Sequence, residues 1–303
     1  MPVYLLICYR KILDMRKIIL ITTAFLLAMN CMAQNMTDVS LLWKDTDKQV
    51  PEISSKTGDL YNKLLHHGPA IENEWIGLRL YFDKKVAIDV YNKQKPQLEM
   101  AAANWYPTVE QQKDGWGADQ YKVGNTVGLG GVRLWDGEKV VFLNPVTLRT
   151  ARVRKEANLS YMEMLSEGIP YKGDTIDVLV RVTVYSGIRE AKVEAFAFSC
   201  KPVQFLTGIN YHPKTETKEG DDFILTWGIH PEDVAAFEVN IGAAIMYNPN
   251  DFVDKRKTDT EFELISKPTK YLETWITSAS EKEKDFSDMA SFVKYVESLT
   301  IVK

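Results

Sequence analysis

The chain reads as an all-β protein: a large antiparallel β-sandwich, supersandwich-like, closed by a C-terminal helix. Three observations predict it. Strand-like runs follow one another with little helix between them. Several alternate in polarity: Ile176, Val178, Val180, Val182 and Val184 face one way, and Asp177, Leu179, Arg181, Thr183 and Tyr185 the other. Clear helical spacing is confined to the C-terminus, where Phe286, Met289, Phe292, Val293 and Val296 fall at i, i+3, i+6, i+7 and i+10 behind a cap at Asp285.

Taken in order, residues 1–33 read as a signal peptide and not as fold. Met15 reads as the start, Arg16 and Lys17 form a basic n-region, and Ile18 to Met29 is an apolar stretch too short to span a bilayer comfortably. Cys31-Met32-Ala33 supplies small residues for cleavage after Ala33. The alternative is a lipoprotein anchored at Cys31, disfavoured by Asn30 where a lipobox wants a small residue. The protein is therefore expected in the periplasm or outside the cell.

Residues 34–59 are polar and read as an N-terminal lead-in; 60–303 form one β-sandwich domain. The strand candidates are Ile76–Phe82, Val86–Tyr91, Gly131–Trp135, Lys139–Phe142, Arg149–Tyr161, Thr175–Tyr185, Ala191–Ser199, Phe223–Gly228, Val239–Met246, Glu261–Ile265 and Tyr271–Thr277. Turn residues separate them, as at Asp136-Gly137, Gly173-Asp174 and Gly220-Asp221. Ser186-Gly187 between two long apolar runs predicts a hairpin.

Losing the leader removes four of 37 basic residues (Arg10, Lys11, Arg16, Lys17) and one of 41 acidic ones (Asp14). The mature chain, with 33 positive and 40 negative charges, carries about −7. That disfavours nucleic acid and an anionic membrane surface as partners, but not an anionic small substrate held by a local basic cluster. Cys8 and Cys31 leave with the leader, and Cys200, alone at a strand end, is expected to be a buried small hydrophobe.

Two stretches carry the chemistry. In the first, His66-His67-Gly68-Pro69 leads through Glu72 and Glu74 into a strand with Arg79 and Tyr81 side by side on one face. Such a pair suits an anionic, ring-shaped ligand; a polar face with a salt bridge is the alternative. The second runs from Trp105 to Gly131 and packs six glycines into residues 115–131, among them Trp116, Asp119, Tyr121 and Lys122. It is neither a phosphate-binding loop nor a dinucleotide fingerprint. Aromatic faces for sugar stacking and grips for hydroxyls fit it, as does a plain surface loop.

No metal is expected: His66 and His67 are adjacent, His212 and His230 are far apart in sequence, and no zinc-ligand spacing exists. Scattered aspartates leave calcium open. No serine-hydrolase elbow is present, while carboxylate pairs for glycoside hydrolysis, Glu72 and Glu74 among them, remain available.

The series His66-His67-Gly68-Pro69, Glu72-Asn73-Glu74, Arg79-Leu80-Tyr81-Phe82-Asp83, Ala87 to Lys93, and Trp116-Gly117-Ala118-Asp119 followed by Lys122-Val123-Gly124 resembles the DUF4861 family of secreted Bacteroidota proteins. The resemblance runs from about Tyr61 to the C-terminal helix. Members typically sit beside enzymes of uronic-acid polysaccharide breakdown, and the chain is similar to an oligosaccharide dehydratase of ulvan breakdown. The resemblance implies removal of water from a saturated non-reducing-end uronate, leaving a 4,5-unsaturated sugar.

That elimination needs a cation for the uronate carboxylate, a base for the C5 proton and an acid for the departing 4-hydroxyl. Arg79 or Lys122 could supply the first; His66 or His67 the base or acid; Tyr81 or Tyr121 could share proton transfer. No cofactor is required. His66, His67, Arg79 and Tyr81 are thus the catalytic candidates, and Glu74, Trp116, Asp119, Tyr121 and Lys122 the substrate-binding ones. The rivals are a polysaccharide lyase or glycoside hydrolase, and a non-catalytic carbohydrate-binding protein using aromatic platforms.

Overall fold

The computed structural model describes residues 36–300 apart from 104–105 and 232–234. The leader expected over 1–33, with its start at Met15 and the alternative anchor at Cys31, lies outside the described residues. Three sheets are built by antiparallel pairing. The largest has nine strands in the spatial order Thr215–Glu219, Phe223–Gly228, Ile241–Met246, Tyr271–Ser280, Ala191–Phe198, Asp174–Tyr185, Leu159–Tyr171, Leu148–Lys155 and Glu52–Ser55. A four-stranded sheet orders Thr37–Ser40, Ala70–Asn73, Ile76–Leu80 and Ile88–Asn92. A five-stranded sheet orders Phe252–Lys257, Glu261–Ser266, Gln204–Asn210, Arg133–Trp135 and Val140–Val141.

One core joins all three. The alternation of Ile176 to Val184 turns its valines inward, where they share a cluster with Ile71, Ile76, Leu78 and Leu80 of the four-stranded sheet and Phe205, Ile209, Phe262 and Leu264 of the five-stranded one. The expected sandwich is therefore present. The hairpin at Ser186-Gly187 is also present, with Asp177–Val184 paired against Ala191–Phe198.

The glycine-rich stretch has a structural task at its C-terminal end. Gly130 N–H donates to Gly208 O at 2.8 Å, and Leu129 N–H to Ile88 O at 3.0 Å. This segment therefore ties the edge of the four-stranded sheet to the five-stranded one. Gly128 has φ +71°, and a Cβ there would stand 2.0 Å from Ile88 O, so no side chain fits.

Several expectations change in detail. The lead-in at 34–59 supplies two sheet strands, because Val39 and Ile53 bring apolar side chains to the core from polar surroundings. The run Arg149–Tyr161 is two strands that turn near residues 156–158, and Glu156 N–H donates to Leu159 O. Short helices at Met100–Ala103 and Val109–Lys113 are too brief to show a period. The C-terminal helix is Met289–Ser298, capped by Asp288 and not Asp285. Asp288 and Ser291 satisfy each other's backbone N–H in a capping box, while Phe292 and Val296 bury against Leu225, Trp227 and Met246. Cys200 is exposed, not buried: it lies just past the strand ending at Phe198, where the chain bends away from the sheet. No described helix is long and apolar enough to cross a membrane.

Candidate active site

Register creates the first part of the site. Strand Ile76–Leu80 pairs with Ile88–Asn92 so that Arg79 lies opposite Asp89. Directly opposed residues share a sheet face, and Arg79 Nε donates to Asp89 Oδ2 at 2.6 Å. Asn92 then bridges to Ala118, exchanging two backbone hydrogen bonds of 2.9 and 3.0 Å. Only a glycine fits just before that bridge, since a Cβ on Gly117 would lie 2.1 Å from Asn92 O. The bridge delivers Asp119 to the same guanidinium, where Arg79 Nη2 donates to Asp119 Oδ2. Arg79 Nη1 donates to the Tyr106 hydroxyl at 2.9 Å, and the Tyr81 hydroxyl donates to Asp89 Oδ2 at 2.5 Å.

Arg79 is only 3% exposed and stands between two carboxylates. Burial works against its charge, but Asp89 and Asp119 overcome that and hold its pKa well above the ordinary value. One cation between two anions leaves the trio at about −1. Burial, then Asp89, push the Tyr81 hydroxyl far up, so it stays protonated.

The second part is the turn Leu65–His67. His66 and His67 both take left-handed backbone conformations, φ 59° and 61°. Two consecutive non-glycine residues in that region are strained, and such strain gathers at functional sites. The turn sends the two rings to different environments. His66 is 2% exposed, and burial, aided by Arg79 and His67, lowers its pKa to about 3. His67 is half-buried and stacks on Tyr61, ring centroids 3.9 Å apart. Its Nδ1 lies 3.0 Å from the Tyr61 carbonyl oxygen. A carbonyl only accepts, so Nδ1 carries the proton, and neutral His67 presents a bare Nε2. That nitrogen is 3.4 Å from the Tyr106 hydroxyl. Burial lowers the pKa of His67, helped by Arg79 and Lys44 and opposed by the Tyr61 carbonyl and Asp89. Lys85 closes the rim, its Nζ 5.0 Å from the Tyr81 ring centroid and 5.8 Å from that of Tyr61.

A third group adjoins Asp119. His212 and His230 meet ring to ring at 4.5 Å, and Tyr121 packs on His230 at 4.6 Å. The backbone of Lys122 organises both: its N–H donates to His230 Nδ1 at 3.0 Å, and its carbonyl accepts from His212 Nε2 at 2.8 Å. Burial, with a smaller push from His212, lowers the His230 pKa to about 3. Among the described residues no set of three or more His, Cys, Asp or Glu side chains is arranged to hold a metal ion.

The family described as domain of unknown function DUF4861 matches residues 32–300. The chain belongs to DUF4861. No curated protein matches it. Among solved structures, a candidate aldose 1-epimerase from Klebsiella pneumoniae subsp. pneumoniae MGH 78578 is similar at 11% identity, with a TM-score of 0.40, over 88% of this chain and 97% of that one. A 4-alpha-glucanotransferase from Thermococcus litoralis is similar at 11% identity, with a TM-score of 0.36, over 80% of this chain and 39% of that one. Neither likeness bears on chemistry.

In this DUF4861 chain, His67, Arg79, Tyr81 and Asp119 come together, and Tyr121 and Lys122 lie beside them around His230. His66 points into the interior. Glu74 is engaged elsewhere, accepting the Gly187 N–H at 2.8 Å, because it lies in the turn before Ile76–Leu80, at the opposite end of that strand from Arg79. Trp116 is half-buried and held by its backbone, its carbonyl accepting from Gln94 at 2.7 Å. Tyr61, Lys85, Asp89, Tyr106, His212 and His230 are the additions. Asp89 was legible in principle, since a hairpin in this register sets it against Arg79. Tyr106, His212 and His230 reach the site over long separations that no spacing shows. A cavity of about 670 Å³ lies under the C-terminal helix beside Trp75 and Arg189. In it Arg189 pairs with Glu283 and the Tyr295 hydroxyl donates to Glu190, and none of the candidate site residues lines it.

Proposed function

We propose that this DUF4861 chain is an enzyme that eliminates water from the non-reducing-end uronate of an oligosaccharide, giving a 4,5-unsaturated sugar. The observation that carries the reading is the His67–Tyr106–Arg79 contact series. It supplies a neutral base with a defined lone pair beside a hydroxyl that already accepts from a guanidinium. In this reading His67 Nε2 takes the C5 proton. The Tyr106 hydroxyl gives its proton to the leaving 4-oxygen, and a C4–C5 double bond forms as water departs. The proton on His67 returns to the Tyr106 oxygen across their contact, so acid and base are both reset. Arg79 donating into Tyr106 steadies its transient negative charge.

The carboxylate needs a different cation from the ones the sequence suggested. The charge of Arg79 is matched by Asp89 and Asp119, and Lys122 sits at the His230 group. In this reading Lys85 receives it: Lys85 stands at the rim over Tyr61 and Tyr81, its Nζ donating to the Gly124 carbonyl at 3.1 Å and 4.0 Å from Asp83. Glycoside hydrolysis is the weaker reading, because the two carboxylates brought to this site, Asp89 and Asp119, both serve Arg79. Export to the periplasm or beyond is part of the proposal. It rests on the leader pattern, and a leader retained in the protein, read by intact mass, overturns it.

The test is incubation of the purified mature protein with a panel of uronate oligosaccharides, following the ultraviolet absorbance of the conjugated product. Turnover is expected, and His67→Ala should lower kcat by about 10²- to 10⁴-fold. Saccharide binding with no turnover would instead favour a carbohydrate-binding role for the Tyr61 and Tyr106 surfaces. Full turnover in His67→Ala overturns the assignment of the base.

A further inference from the structure

His67 and His230 have opposite hydrogen-bonding obligations. His67 spends its Nδ1 proton on the Tyr61 carbonyl. His230 accepts the Lys122 N–H at Nδ1, so in the neutral ring the proton must sit on Nε2. His230 is only 5% exposed, and among the described residues its Nε2 has no hydrogen-bond partner. A buried donor left without an acceptor is costly and calls for an occupant.

The place for that occupant is a cavity of about 40 Å³ lined by His230, Asp119, Gln120, Ile229, Phe237 and Val239. That volume holds a single water-sized oxygen and not a sugar ring. Phe237 is 42% exposed, so the cavity reaches the surface at its side chain. Asp119, on the same wall, ion-pairs with Arg79, which in turn holds the Tyr106 that touches His67. The cavity is thus one carboxylate away from the proposed reaction centre.

We infer that this cavity is a hydroxyl-recognition subsite, in which His230 Nε2–H donates to, and the Asp119 carboxylate accepts from, one hydroxyl of the bound saccharide. The inference rests on the reading of the site as saccharide-binding, though not on elimination as its chemistry. A hydroxyl both donates and accepts, so it satisfies both walls at once. A carboxylate would be repelled by Asp119, and an ammonium would be refused by the N–H. His230 is therefore a positioning residue. It acts by selecting and orienting a ring, not by touching the reacting atoms.

Two measurements test it. The first uses the unaltered protein: nitrogen-15 correlation spectra should show His230 as the Nε2–H tautomer and His67 as the Nδ1–H tautomer, and a uronate disaccharide should shift the His230 Nε2 resonance. An Nε2 that does not move under saturating disaccharide means that only water occupies the cavity, and the inference fails. The second compares that disaccharide with analogues each lacking one ring hydroxyl. One analogue should bind roughly 5- to 150-fold more weakly. That discrimination should vanish in His230→Phe and survive in part in His230→Gln, which keeps an N–H near the same point. Discrimination unchanged in His230→Phe overturns the subsite. Binding discrimination without turnover leaves the subsite standing and removes the elimination chemistry. Turnover with no discrimination does the reverse.

Discussion

The imidazole of His67 lies flat on the ring of Tyr61, planes 8° apart and centroids separated by 3.9 Å, while its Nδ1 binds the carbonyl of that same residue at 3.0 Å. One residue thus fixes both the plane and the tautomer of the proposed base. The two functions separate by substitution, because the hydrogen bond uses backbone and the stack uses side chain.

Tyr61→Phe should retain near-normal kcat, since stack and carbonyl both persist. Tyr61→Ala keeps only the carbonyl. An aromatic pair is worth about 0.5–1.5 kcal/mol, so kcat should fall by roughly 2- to 12-fold. Steady-state kinetics on both variants, with the His67 tautomer read by NMR, checks this. Equal losses in Phe and Ala would show that the hydroxyl matters and not the ring.

Arg79→Ala should act on folding before it acts on substrate. It would leave Asp89 and Asp119 buried together, 1% and 3% exposed, without their shared cation. Breaking a buried pair in this way costs about 3–5 kcal/mol. The double variant Arg79→Ala/Asp119→Asn should regain part of that. Urea midpoints of the three proteins decide it, and an Arg79→Ala protein as stable as the parent sinks the argument.

Acid should destabilise the fold through its interior histidines. His66 and His230 both have folded pKa values of about 3, below the ordinary 6.5. Between those values the unfolded chain binds more protons than the folded one. Stability is therefore full above pH 6.5 and falls as pH drops toward 3, by roughly 1.4 kcal/mol per pH unit for each histidine. His230→Gln should weaken that slope between pH 6.5 and 5. A slope identical to the parent's means that His230 is protonated at no cost in the native state.

The acid limb of kcat should lie below the ordinary histidine value, because burial, Arg79 and Lys44 all push the His67 pKa down. Activity is then retained on the alkaline side and lost as pH falls through that lowered value. A pH profile on a saturating uronate oligosaccharide measures it. An acid limb above pH 6.5 would point to a base other than His67.

The sequence by itself determined what period and composition encode. Alternation in Ile176–Tyr185 settles which side chains enter the core, because a strand repeats every two residues and only one face meets the other layer. The i, i+3, i+6 spacing of Phe286, Met289 and Phe292 announces the C-terminal helix, and the ordered motifs from His66 to Gly124 announce the family. Tertiary structure decided the rest, because hydrogen-bond partners are set by register and by contacts across long separations. Arg79 reads in sequence as an anion binder, yet cross-strand register hands it Asp89, and the bridge at Ala118 hands it Asp119. His66 and His67 are neighbours of the same type. One left-handed turn makes the first an interior group and the second a rim base. His212 and His230, each followed by proline and 18 positions apart, meet only because the strands Thr215–Glu219 and Phe223–Gly228 fold back on each other and bring both ends to the backbone of Lys122. Local periodicity carries the side a residue faces; it does not carry which residue waits there.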